Sequence, residues 1–295
     1  MSLGERIGIL GIGRMGLPIA EKLVEAGYAV TVYDVDVGRS AAAGTAVAES
    51  GAALAASSDI LITVLPGVGE IEDAMIGAMA LIEALPEGAL WLDLTSNDPR
   101  VARAISGRAQ SRGIQSVGAP MAGGRVAAER GSLHFYVGGV MHAVERARPV
   151  LERLGSVEQV GENIGDGYLA KLLANLLWFG QVVAVTEALL LGQALGLAPA
   201  TLRNQLATSA GGSIFIDEYL DRLLAGDYLE TFGIDRCVEE LEILVSLAQS
   251  AGVPFELTST VASLHREALE RFGAIDGELL AAKLLEDRAG TTIRR

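Results

Sequence analysis

The chain carries a single cysteine, Cys237, in 295 residues. That count excludes an intrachain disulfide and fits a reducing, cytoplasmic setting. Histidine is almost as scarce: His134, His142 and His265 show no H-E-x-x-H or comparable metal-ligand spacing. No metal site is expected from such a pattern. Ser96 has no histidine near it in sequence, and His134, two residues beyond Ser132, makes no recognised nucleophile motif with it, so nothing points to hydrolase chemistry. Positive charge is also in deficit, with 23 Lys and Arg against 37 Asp and Glu, a formal net charge of −14. This balance repels phosphate backbones and anionic bilayers, so no nucleic acid and no membrane is an expected partner. The first apolar run, IGILGIG, is short and lacks a basic start, and no secretory signal is expected. A long bare hydrophobic stretch is missing too. Lys171 and Glu187 bracket 15 uncharged residues that include Asn175 and Gln181, whereas a bilayer crossing needs about 20 predominantly apolar residues. A core helix is the expectation. Met1-Ser2-Leu3 carry no structural expectation.

What is present is apolar surface: half of the chain is hydrophobic and a fifth is charged, the balance of a well-packed protein. Short β-branched runs alternate with alanine-rich helical stretches through the first half. RIGILGIG (6–13), AVTVYD (29–34), DILITVLP (59–66), ALWLDLT (89–95), SVGAPM (116–121) and LHFYVGG (133–139) read as strands. PIAEKLVEAG (18–27) reads as a helix stopped by Gly27. Strands separated by helices imply βαβ units and a parallel sheet covered on both faces. The alternation ends near residue 164, and 167–196 reads as one long apolar helix followed by further helices. The expected architecture is an α/β Rossmann-type N-terminal domain with a parallel-rich sheet (1–164), followed by an all-α C-terminal domain (165–295).

Between the first expected strand and helix, GIGRMG sets Gly11, Gly13 and Gly16 at the spacing G-x-G-x-x-G, with Ile12, Arg14 and Met15 between them. Gly11 permits a tight turn, Gly13 lets the backbone approach a pyrophosphate, and Gly16 allows close packing of helix on strand. The phosphates would meet the free N–H groups at the start of the helix. Asp34 ends the next strand, where an acid binds the adenosine ribose hydroxyls and repels a 2′-phosphate. NAD is therefore expected over NADP, with Arg39 close enough in sequence to soften the preference.

Several motifs together resemble the β-hydroxyacid dehydrogenase family, which includes 3-hydroxyisobutyrate dehydrogenase and tartronate semialdehyde reductase, with 6-phosphogluconate dehydrogenase a more distant relative. GILGIGRMGLPIAEKL is similar to its cofactor fingerprint, TVLPG to its second cofactor loop and DLTSNDP (93–99) to a segment beside the cofactor. GAPMAGG (118–124) resembles its substrate loop and GDGYLAKLLAN (165–175) its catalytic signature. The resemblance implies cofactor contacts from Leu65, Pro66, Ser96, Phe232 and the position of Glu239, and substrate contacts from Ala122, Gly123 and Gly124. It also implies that Lys171 and Asn175 share a helix face pointing into a cleft beside the nicotinamide. Oxidising an alcohol by hydride removal requires moving the hydroxyl proton, and a partly buried lysine can serve as base in oxidation and acid in reduction. Asn175 can orient the amine or the substrate.

The pattern has departures. The family's serine before the paired glycines is Ala122 here, leaving Arg125 as a candidate anion clamp. In FGIDRCVEELEIL (232–244) the family's lysine is Glu239, followed by Glu240, and the asparagine that often precedes Asn175 is Ala174. These changes make the charge of the substrate an open question. The expected activity is hydride transfer between a nicotinamide cofactor and a small β-hydroxyacid or its semialdehyde. The alternatives are an imine reductase, whose members generally lack the lysine, and a dinucleotide-binding module without catalysis. The apolar helix leads to the expectation of a homodimer or homotetramer.

Overall fold

The computed structural model describes residues 4–294, so Met1–Leu3 lie outside the described residues. The chain divides into two compact units, Met1–Lys171 and Leu172–Arg295.

The first unit holds nine strands among the described residues: β1 (Arg6–Leu10), β2 (Ala29–Tyr33), β3 (Ala46–Val47), β4 (Ile60–Thr63), β5 (Leu90–Asp93), β6 (Gln115–Gly118), β7 (Met121–Ala122), β8 (Leu133–Gly138) and β9 (Gly155–Gly161). They form one sheet in the order β3-β2-β1-β4-β5-β6-β8-β7, with β9 also pairing β8. From β3 to β6 every neighbouring pair is parallel. The period of two decides which side chains meet which layer. Ile7, Ile9, Ile60, Ile62, Leu90 and Leu92 pack with the helix Gly16–Glu25 and the helix Met141–Leu151. Leu61 and Trp91 belong to the opposite layer, with residues of the helices Gly51–Ala56, Val68–Met75 and Pro99–Gln110. Burial on both faces is why β4 and β5 read as continuous apolar runs.

Three strands escape a reading based on apolar runs. β3 and β7 are two residues each, and β9 is the polar run GSVEQVG. Pro120 splits the expected strand 116–121 into β6 and β7, because proline offers no N–H to a ladder. Its carbonyl still accepts from the Tyr136 N–H (3.1 Å). Both β6 and β7 run antiparallel to β8, the point at which the parallel order ends.

The second unit is built from helices: the remainder of a long helix, Ile164–Ala194, then Pro199–Ala207, Leu220–Leu224, Ile234–Ala251, Glu256–Phe272 and Leu280–Ala289. A π-helical turn, Phe215–Tyr219, precedes the third of these. Two apolar clusters form its core, one around Phe179, Ile234 and Leu241, the other around Val182, Phe215 and Leu223. By length and composition alone Ile164–Ala194 could cross a membrane, and 39% of its most apolar window is buried. Leu173, Leu177, Leu191 and Leu195 are exposed, as are Ala184 and Ala188, a stripe at helical spacing along one face.

Candidate active site

The carboxyl ends of β1, β2, β4 and β5 lie side by side in the first unit, the edge where open parallel sheets bind ligands. Gly11 follows β1 with φ +94, and a Cβ there would stand 2.3 Å from the Val64 carbonyl oxygen. A Cβ on Gly16 would stand 1.9 Å from the Gly11 carbonyl oxygen, so turn and helix touch backbone to backbone. Gly13 differs: an added Cβ would meet only the Arg39 Nη1, at 3.9 Å. The glycine loop is thus closed on the protein side and clear over Gly13, as a pyrophosphate requires. Arg14 is exposed, Met15 packs partly on the core, and no side chain caps the helix that begins at Gly16.

Asp34 is buried at the end of β2. Its Oδ2 accepts from the Ile12 N–H (2.7 Å) and its Oδ1 from the Asp36 N–H (2.9 Å). The carboxylate therefore ties the glycine loop to β2 before it meets any ribose. Arg39 lies 3.5 Å from Asp36, on a short helix capped by the Asp36 side chain.

The loops after β4 and β5 are stitched together. The Leu65 N–H donates to the Thr95 Oγ1 (3.0 Å), with Pro66 next in the chain and exposed. Ser96 follows Thr95, and its hydroxyl accepts a hydrogen bond from the Lys171 Nζ. Lys171 is 8% exposed, so its amine sits inside the first unit against this loop. Asn97, next along, is buried with its Oδ1 lacking a hydrogen-bond partner, an acceptor left open at the same strand end.

In the substrate-loop segment Ala122 ends β7, and Gly123 (φ +111) and Gly124 (φ +65) both take left-handed backbone, which is why two glycines follow it. Arg125 pairs with Glu129 (2.7 Å) one turn along its helix, and both are largely exposed. An ion pair on its own helix occupies the guanidinium proposed as an anion clamp.

Within the second unit Asn175 donates from Nδ2 to the Glu240 Oε2 at 2.6 Å, and Glu240 is only 3% exposed. Glu239 pairs with Arg236 (2.8 Å), which also reaches Asp235 (3.3 Å). Phe232 packs partly buried against the helical core, and its carbonyl accepts from Gly277 (2.9 Å). Cys237 is buried, and burial raises its thiol well above the ordinary value, so it offers no nucleophile. Among the described residues no group of three His, Cys, Asp or Glu could hold a metal ion.

Two residues of evident consequence were not in the sequence-based set: Glu240, which holds Asn175, and Asp93, at the end of β5. An acid closing the apolar run LWLD was the available signal for Asp93; Glu240 had none beyond its place beside Glu239.

Residues 6–165 match the model for the NAD binding domain of 6-phosphogluconate dehydrogenase, and 165–285 that for the NAD-binding domain of NADP-dependent 3-hydroxyisobutyrate dehydrogenase. The 2-(hydroxymethyl)glutarate dehydrogenase of Eubacterium barkeri is 31% identical over 86% of this chain and 86% of its own. The NAD-dependent L-serine dehydrogenase of Pseudomonas aeruginosa is 30% identical over 97% of this chain and 99% of its own. Among solved structures, the 3-hydroxyisobutyrate dehydrogenase of Mycobacterium tuberculosis with L-serine superposes with a TM-score of 0.86 at 26% identity, covering 96% of this chain and 99% of that one. An imine reductase from Myxococcus stipitatus, 20% identical with a TM-score of 0.66 over 96% of this chain and 100% of its own, shares the fold alone.

Proposed function

Because the chain belongs to the β-hydroxyacid dehydrogenase family, an NAD(P)-dependent oxidoreductase family, we propose that it interconverts a small β-hydroxyacid and its semialdehyde with Lys171 as the proton-transfer group. The observation that carries this reading is the buried Lys171 amine held on Ser96, at the strand ends that present the glycine loop. When bound, the nicotinamide supplies or accepts the hydride. Gly11 to Gly16 would hold its pyrophosphate, Asp34 its adenosine ribose, and the loops at Leu65, Pro66 and Ser96 would flank it. Lys171 takes the proton from the substrate hydroxyl during oxidation and returns it during reduction. Ser96 holds the amine at its post. Asn175, its amide fixed by Glu240, orients the substrate oxygen.

Asp34 supports NAD as the preferred cofactor. Arg39 beside the glycine loop supports tolerance of a 2′-phosphate, so the preference is a graded one. The substrates named for the relatives share a CH2OH group on the carbon that bears the carboxylate, and this is the class proposed here. Ala122 removes one hydroxyl from the substrate loop, and Glu239, where the family has lysine, is paired with Arg236. A substrate with an ammonium group beside its carboxylate is supported instead by the likeness to an L-serine dehydrogenase over 97% of the chain. Incubating the protein with 3-hydroxyisobutyrate, L-serine and 2-(hydroxymethyl)glutarate, each with NAD and NADP, tests the proposal through absorbance of the reduced cofactor. Turnover is expected with at least one hydroxyacid, L-serine ahead of 3-hydroxyisobutyrate. No reduced cofactor with any of them would overturn the reading in favour of a binding module.

The stripe of Leu173, Leu177, Ala184, Ala188, Leu191 and Leu195 supports a homodimer or homotetramer, since an exposed apolar face of this length seeks cover. A monomer at micromolar concentration in sedimentation would exclude it.

A further inference from the structure

Asp93 is fully buried at the end of β5, yet both of its oxygens are supplied with donors. Oδ1 accepts from the Thr63 hydroxyl (2.8 Å) and the Thr95 N–H (3.0 Å). Oδ2 accepts from the Tyr168 hydroxyl (2.7 Å) and the Asn97 amide (3.2 Å). Trp91 Nε1 donates to the Thr63 Oγ1 (3.0 Å), which leaves the hydrogen of that hydroxyl for Asp93. Burial pushes the Asp93 carboxyl above its usual range, against the opposing bonds from Tyr168, Thr95 and Thr63. Burial, and the adjacent Asp93, keep the Tyr168 phenol well above 10, so it remains the donor.

Core packing alone does not call for this arrangement. Tyr168 and Ile164 already lie in the apolar cluster that holds Trp91. A phenylalanine would fill the same space without bringing a polar atom beside a buried carboxylate, and apolar contact is non-directional. The hydroxyl adds a direction. Tyr168 and Lys171 stand at i and i+3 on one helix face, while Asp93 and Ser96 stand on one strand-end loop. The loop therefore grips the helix twice, Asp93 on Tyr168 and Ser96 on Lys171, one turn apart.

We propose that Asp93 is a positioning residue: through the Tyr168 hydroxyl it sets the rotation of the helix beginning at Ile164 and so delivers the Lys171 amine to Ser96. The inference rests on Lys171 being the proton-transfer group, and its test separates the two. The chain has three lysines, Lys22, Lys171 and Lys283, so selective 15Nζ labelling gives one resolvable probe at the site and two remote controls. Tyr168→Phe keeps the ring and removes the oxygen. The ammonium hydrogen exchange of Lys171 should accelerate roughly fivefold or more, with Lys22 and Lys283 unchanged. For whichever of L-serine or 3-hydroxyisobutyrate is oxidised, kcat should fall about tenfold to a hundredfold, as for a misplaced catalytic group. KM and the Kd for NADH should stay within about twofold, since uniform binding is untouched. Thr63→Val strips the same carboxylate of a donor that does not lie on the helix. It should lower Tm by roughly 2–4 °C and leave Lys171 exchange as in the unsubstituted protein. Unaltered Lys171 exchange in Tyr168→Phe, or an equal response in Thr63→Val, would overturn the positioning role. Altered exchange in a protein that oxidises neither substrate would preserve that role and remove the dehydrogenase reading.

Discussion

The Lys171 site in the first unit and the Asn175 site in the second are built on opposite plans. In the first, an ionisable amine is held by a neutral hydroxyl, Ser96. In the second, a neutral amide is held by a buried carboxylate, Glu240. A hydroxyl can accept from an ammonium or donate to a free amine, so it tolerates both protonation states of Lys171. A carboxylate accepts only, so it fixes which end of the Asn175 amide faces it and leaves the Oδ1 to face elsewhere. The first plan suits the proton transfer proposed for Lys171, and the second stops a side chain from turning.

The largest effect should come from the movable proton. Lys171→Ala is expected to lower kcat by roughly 10²–10⁴-fold, the usual worth of a proton-transfer group, with NADH binding retained in a fluorescence titration. Loss of cofactor binding along with turnover would make the residue structural. Glu240→Gln comes next. Charge-assisted bonds are worth about 1.5–3 kcal/mol, so kcat/KM should fall roughly tenfold to a hundredfold. The glutamine can also present an NH2 that drives the Asn175 amide to flip. A variant with wild-type kinetics would erase the contrast between the two sites.

Asp34→Asn should shift the NADPH to NADH ratio of kcat/KM upward by a few-fold, as a charge facing a 2′-phosphate is removed. An unchanged ratio would confine Asp34 to its bonds with Ile12 and Asp36. A separate effect concerns stability and not turnover. His265 is buried in the second unit, and burial lowers its imidazole to about 4, against a hydrogen bond donated to the Val261 carbonyl oxygen that raises it. The folded value lies below the unfolded one, so the unfolded chain binds the extra proton. Stability is therefore fully present above about pH 6.5 and is lost as pH falls toward 4, by about 3 kcal/mol at most. His265→Leu should flatten denaturant midpoints across that window; an unchanged slope would place the acid sensitivity elsewhere.

The glycine loop was legible in sequence because its requirement is local: Gly11 and Gly16 must approach backbone whatever the rest of the chain does. Lys171 was legible because a lone charge in an apolar helix is costly to place without a purpose. The positions of six strands followed from their apolar runs, and β9 was missed because an edge strand made of GSVEQVG has none. Pro120 interrupts what otherwise reads as one strand, a break decided by a missing N–H rather than by hydropathy. Glu240 and Asp93 were harder still. Asn175 and Glu240 are separated by 65 residues, and Asp93 meets Tyr168 75 residues away. Buried acids are identified by partners that only the fold supplies.

The most direct test of the account is chemical rescue of Lys171→Ala, following NADH formation from L-serine or 3-hydroxyisobutyrate with and without added ethylamine. The account predicts that turnover, lost in the variant, returns in proportion to the free amine and that butylamine, too large for the vacated space, restores less. Turnover close to that of the unsubstituted protein before any amine is added would contradict it.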